Sequence, residues 1–289
     1  MNTALTHLPE NKQAELKAIV GAVIPRFTEI EMIVLFGSYA RGNWVEDTYT
    51  EKGITYEYKS DYDLLIILHK NAQANSDPLI ENITGHIEAL KLPTPVTPIF
   101  HSIDFVNEAL NEGNYFFGDI QEYGIILFTT SRYKLAPKRE LSPQEAKAKA
   151  ERDFNNWFQS AEYFFDDYKG NFAKGRYNQA AFQLHQAAER YFNTVQLVFT
   201  GYKSRTHNIE ILGKIANSCD MRFSKVFPKA TIQEKNRFNL LKKAYTEARY
   251  NMDFKISRED LEYLNERVEL LKNLTAEICW EKIDSFTKE

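Results

Sequence analysis

Two short segments carry residue types suited to phosphate chemistry. Phe36-Gly37-Ser38-Tyr39-Ala40-Arg41-Gly42 follows one apolar run, and Ser60-Asp61-Tyr62-Asp63-Leu64-Leu65-Ile66 opens another. Alternate residues of a strand share a face, so Asp61 and Asp63 project together while Tyr62 points the other way. Two carboxylates on one face suit a hard cation. Magnesium prefers such oxygen ligands and keeps several waters, which leaves room for the phosphates of a nucleoside triphosphate. A Gly-Ser turn directly after a buried strand lets backbone N–H groups and the Ser38 hydroxyl approach the β- and γ-phosphates unobstructed. Each segment alone has a plainer reading: Asp-x-Asp is often a solvated strand start, and Gly-Ser is usually only a turn. Their order, strand then Gly-Ser then Asp-x-Asp then strand, is what points to nucleotide chemistry.

The surrounding elements must position these groups. From about Asn11 to Ile30, Leu16, Ile19, Val20, Val23, Ile24 and Phe27 recur at helical spacing, and Met32 to Phe36 then reads as a buried strand. Leu64 to Leu68 is a second strand, and Pro78 to Leu90 a helix with Leu79, Ile83, Ile87 and Leu90 on one face. Val96 to Phe100 is a third strand, which Pro95 and Pro98 place at a sheet edge because proline donates no ladder hydrogen bond. Ile125 to Phe128 is a short fourth. Between the first two strands, residues 43–59 read as an inserted β-hairpin flap turning at Glu51-Lys52-Gly53. Arg132 to Arg139, polar, basic and containing Pro137, reads as a linker.

Beyond the linker the signals are helical. Ser142-Pro143-Gln144-Glu145 is a capping box with proline at the first helical position, opening an amphipathic run to about Tyr168. Thr231-Ile232-Gln233-Glu234 and Ser257-Arg258-Glu259-Asp260 are further N-terminal caps. Arg176 to Thr200, ended by Gly201, and His207 to Cys219 add two helices. The sum is an antiparallel bundle of about five helices. The fold class is therefore α+β: a small mixed sheet with helices over 1–135, then an all-α bundle over 140–289.

At 289 residues the chain has room for two domains, each with its own core. Residues 1–140 hold 12 basic and 19 acidic side chains and 141–289 hold 24 and 21, so the bundle is the half better suited to meeting phosphates. A net charge of −4 excludes a polybasic nucleic-acid arm as the main device. Cys219 and Cys279 form neither a CxxC motif nor a zinc set, which points to reduced thiols in a cytoplasmic protein. No apolar run approaches the roughly 18–20 residues of a membrane span, and the N-terminus lacks a signal-peptide pattern.

The Gly-Ser and Asp-x-Asp pattern resembles the nucleotidyltransferase superfamily related to DNA polymerase β, in particular the minimal and kanamycin nucleotidyltransferase group, over roughly residues 20 to 130. The resemblance implies that Gly37 and Ser38 hold the triphosphate and that Asp61 and Asp63 are the catalytic, metal-binding pair. Arg41 is either a phosphate contact or a surface arginine at a helix start. Two departures stand out. The spacer between Ser38 and Asp61 is 22 residues, about twice the usual length, which the hairpin accounts for at little cost in free energy. The family's third carboxylate on a neighbouring strand has no counterpart in Val96-Thr97-Pro98-Ile99-Phe100, and Asp104 lies just beyond that run. Such a group positions the catalytic metal and activates the attacking hydroxyl, so its absence bears on turnover more than on binding.

The helical half resembles a HEPN domain over about 145 to 285, through Gln183 to Arg190, Arg205-Thr206-His207-Asn208-Ile209 and Ala248-Arg249-Tyr250. HEPN ribonucleases use an Arg-x(4–6)-His motif, and no histidine follows Arg249 at that distance. His185 and His207 are either nucleotide contacts or packing and capping residues. Tyr163, Phe164, Phe165, Tyr191 and Phe192 are expected in the core. Together the resemblances imply a magnesium-dependent transfer of a nucleoside monophosphate from an NTP, ATP foremost, to a hydroxyl of a small molecule or protein side chain. The HEPN domain would complete the substrate cleft, in a homodimer. The alternative is a catalytically weak nucleotide- and partner-binding module of a toxin–antitoxin or stress-response system. A HEPN ribonuclease ranks third.

Overall fold

The computed structural model describes residues 1–51 and 54–288, with side chains outside 47–59. The chain divides into two compact units, Met1–Glu140 and Leu141–Glu289.

In the first unit the order is α1 (Glu10–Val23), β1 (Ile30–Phe36), α2 (Gly37–Arg41), β2 (Glu46–Glu51), β3 (Ile54–Lys59), β4 (Tyr62–Leu68), α3 (Asn71–Ala74), α4 (Asp77–Glu88), β5 (Val96–Ser102), α5 (Ile103–Asn111), α6 (Tyr115–Tyr123) and β6 (Ile125–Thr129). Four strands form one sheet in the order β5-β4-β1-β6, with β4–β5 parallel and the other two pairings antiparallel. The continuous apolar runs of β1 and β4 take the two central places, as runs buried on both faces must. Ile33, Leu35, Tyr62, Leu64, Ile66 and Leu68 pack with Leu16, Ile19 and Val23 of α1 and Ile83 and Ile87 of α4. The alternation sends Val34, Leu65 and Ile67, also buried, to the other face. β5 lies at one edge, where Pro98 is tolerated. β2 and β3 pair as a separate antiparallel hairpin, closed at its base by Ser60 N–H donating to the Val45 carbonyl. The expected turn at Lys52 and Gly53 lies outside the described residues.

Two differences from the sequence reading concern this unit. Helix α1 stops at Val23, with Pro25 beyond it, and Phe27 reaches the core from the connection to β1 instead. Two helices, α5 and α6, occupy the stretch between β5 and β6 that the periodicity left unassigned. Both have side-chain caps, from Ser102 to Phe105 N–H and from Asn114 to Phe116 N–H.

The second unit comprises α7 (Pro143–Ala173), α8 (Tyr177–Thr200), α9 (Ile209–Cys219), a 3₁₀ turn (Met221–Lys225), α10 (Ile232–Lys243), the single turn α11 (Glu247–Tyr250) and α12 (Arg258–Ser285). The Ser142 and Thr231 capping boxes form, and Ser257 caps α12. Helix α8 is central, buried on nearly every side from Leu184 to Val198, and ends at Gly201 in the left-handed conformation. Phe165, Tyr191 and Phe192 lie in the core, but Tyr163 is 62% exposed on the outer face of α7, which corrects its assignment to the core. No helix of the described residues is long and apolar enough to cross a membrane.

Candidate active site at the β1–α2 turn and the start of β4

The turn after β1 is built around Gly37. Its φ of +73° is one that side chains rarely adopt, and a Cβ there would sit 2.1 Å from Asp63 Oδ2. Glycine is thus required both by the backbone and by the carboxylate it touches. Ser38 follows, half-buried, with its carbonyl accepting from Gly42 N–H and Asn43 N–H to close the short helix. Tyr39 anchors the turn from below. Its buried ring lies 4.5 Å from that of Tyr62 and stacks on Trp44 at 5.3 Å, and its hydroxyl donates to Glu46 Oε1, which Lys12 also grips. Lys12, only 5% exposed, donates in addition to Thr94 Oγ1 at 2.7 Å.

β4 supplies Asp63, and Asp61 lies immediately before the strand. Tyr62 turns into the α1 face, where its hydroxyl donates to Glu15 Oε2 at 3.1 Å. Asp63 points to the opposite face, paired across the sheet with Phe36 of β1 and flanked on β5 by Thr97. The Thr97 hydroxyl donates to Asp61 Oδ2. Burial, and then the negative charge of Asp61, push the Asp63 carboxyl up to about 8. Two carboxylates that repel each other, one of them desolvated, are a donor set that a divalent cation would relieve. Gly37, Ser38, Asp61 and Asp63 are therefore brought to one place.

What surrounds the pair limits what it can hold. No group of three or more His, Cys, Asp or Glu residues able to cage a metal occurs among the described residues. Asp104 sits in the first turn of α5, past Ser102 at the far end of β5. The parallel register sets Tyr62 against Val96 and Leu68 against Ser102, so about 20 Å of strand separates Asp104 from the acidic pair. The donor set fits a magnesium ion whose remaining positions go to water and phosphate oxygens, the usual arrangement for that ion.

Arg41 forms an ion pair with Asp119 of α6, and its guanidinium lies 5.1 Å from the Tyr123 ring centroid. Neither partner was apparent in the sequence, since both lie more than 75 residues away. Thr97 was also missed as a contact of the acids. Only the β4–β5 register reveals it.

In the helical unit, His185 is fully buried, with Nδ1 2.9 Å from the Leu241 carbonyl. His207 is half-exposed, stacked on Tyr245 at 4.6 Å, with Nδ1 3.0 Å from Glu189 Oε1. Burial opposes the charge on Glu189, yet His185 and His207 together hold its carboxyl below the usual range. Arg249 lies over the rings of Phe182, Tyr245 and Tyr250 and donates to the Tyr245 carbonyl.

No curated protein matches the chain. Residues 20–133 match the family described as polymerase beta, nucleotidyltransferase, and residues 154–279 match the HEPN domain. The chain consists of a polymerase β-type nucleotidyltransferase domain followed by a HEPN domain.

Proposed function

We propose that the protein transfers a nucleoside monophosphate from an NTP, ATP foremost, to a hydroxyl acceptor in a magnesium-dependent reaction. The observation that carries this reading is the contact of Gly37 with Asp63, which sets the Gly-Ser turn against a pair of carboxylates. Asp61 and Asp63 would hold the ion, whose chemistry is to neutralise charge on the phosphates and polarise the α-phosphorus. Gly37 and Ser38 present backbone N–H groups and a hydroxyl to the β- and γ-phosphates. Arg41, tethered to Asp119, can exchange that exposed partner for a phosphate oxygen at small cost. The new bond joins the acceptor oxygen to the α-phosphorus, the bond to the pyrophosphate leaving group breaks, and the hydroxyl proton passes to water. Positioning and charge stabilisation then carry the rate enhancement. The setting is cytoplasmic, the active species a homodimer, and the acceptor a small hydroxyl compound or a tyrosine or serine side chain.

A second reading, a nucleotide-binding module with weak turnover, is favoured by one observation: β5 presents Thr97, and no carboxylate, beside Asp61. Incubation with magnesium and either α- or γ-labelled ATP separates the two. Transfer of α-label to protein or acceptor, lost in Asp61→Asn/Asp63→Asn, supports the transferase. Saturable ATP binding without transfer supports the module, and absence of both refutes each.

A further inference from the structure

The side chains around the acidic pair set how many divalent ions it can hold. Residues directly opposite in a parallel pairing share a face, so Asp63 of β4 and Thr97 of β5 stand side by side, with Asp61 two residues earlier on that same face. The Thr97 hydroxyl donates to Asp61 Oδ2. Asp63 turns its own Oδ2 onto Gly37, where a Cβ would lie 2.1 Å from that oxygen. Each carboxylate thus has one oxygen engaged by the fold. No other hydrogen bond or ion pair reaches either of them among the described residues.

Two divalent ions set roughly 3.5–4 Å apart repel each other strongly, and anionic oxygens between and around them must offset that repulsion. A lone magnesium ion needs only one or two carboxylates beside its phosphates and waters. Here the supply of protein carboxylates stops at the pair. Its neighbours on the same face are Phe36 across on β1, Leu65 along β4 and Ile99 along β5, all apolar. Asp119, which α6 brings to Arg41 of the turn, is bound by that arginine. No third His, Cys, Asp or Glu joins the two acids among the described residues. The position beside them that an acid could fill is 97, and β5 places a hydroxyl there.

That hydroxyl has two effects. As a donor to an ionised oxygen it fixes the plane of the Asp61 carboxylate, as hydrogen-bonding partners of metal-binding carboxylates do. As a neutral group it adds no charge to offset a second ion. Building on the magnesium-dependent reading above, we infer that the acidic pair takes a single divalent ion, not the two that clamp attacking and leaving oxygens in two-metal sites. Thr97 is the positioning residue that presents Asp61 to it.

Manganese, which shares magnesium's preference for oxygen ligands and is paramagnetic, is the probe. The full chain is titrated with manganese chloride alone, and uptake is read from loss of the free-ion electron paramagnetic resonance signal. The spectrum is then recorded with excess ion and α,β-methylene-ATP. Wild type should take up a single ion in the titration and show no exchange coupling between neighbouring ions in the nucleotide complex. Thr97→Val keeps the shape and removes the donor, so uptake should weaken by ~10-fold, and Thr97→Ser should restore it. Thr97→Asp should show the coupled pair that wild type lacks. A coupled spectrum in wild type, an uncoupled one in Thr97→Asp, or equal uptake by folded Thr97→Val overturns the inference and leaves the transferase reading standing. Absence of uptake, or uptake unchanged in Asp61→Asn/Asp63→Asn, overturns both.

Discussion

Gly37 and Asp63 are in contact: any side chain at position 37 would collide with the carboxylate that β4 presents. Gly42, five residues on, has a similar φ of +77°, but a Cβ there would meet only His7 Cδ2 at 3.6 Å. The two glycines thus separate backbone strain from site disruption. Gly42→Ala and Gly37→Ala should each cost about 1–2 kcal/mol from the left-handed conformation, read as a lowered Tm. Only Gly37→Ala should also weaken magnesium–ATP binding, by ~10-fold or more, measured by calorimetry.

Thr97 stands where parallel pairing brings β5 alongside the acids. Thr97→Asp places a third carboxylate there. Transfer of labelled nucleotide should rise by at least ~10-fold if lack of a base limits turnover. The same variant should melt lower than wild type without magnesium, because three carboxylates then share one site, and should regain more Tm on adding the ion.

Lys12 ties the base of the hairpin to the core through Glu46 and Thr94, and Tyr39 joins the same carboxylate. Lys12→Met keeps the apolar stem but removes the donor to Thr94 and one of the two donors to Glu46. A loss of about 1–2 kcal/mol in urea unfolding is expected.

In the helical unit Glu210, at the start of α9, accepts from Lys229 and from Lys242, and together they pull its carboxyl down to about 2. A depressed carboxylate stabilises the fold above its unfolded pKa, near 4.5, and that contribution fades as pH falls from there toward 2. Glu210→Gln should therefore lower Tm at pH 7 and narrow the gap to wild type as pH drops to about 3.

The parts of the site legible in the sequence were those set by local pattern. Asp61 and Asp63 fall on one face because strands alternate, and Tyr62 fills the core between them as that alternation requires. The hairpin and the helix caps were equally local. What escaped depends on pairing across the chain: Thr97 reaches Asp61 only through strand register, and Asp119 meets Arg41 from α6. Helices α5 and α6, nine residues each, are too short for a periodic signal.

The most direct measurement is a crystal structure with magnesium and a non-hydrolysable ATP analogue. The expected result is an ion bound to oxygens of both Asp61 and Asp63, with the β- and γ-phosphates against Gly37 and Ser38. A nucleotide seated elsewhere, or an ion that avoids the two carboxylates, would contradict it.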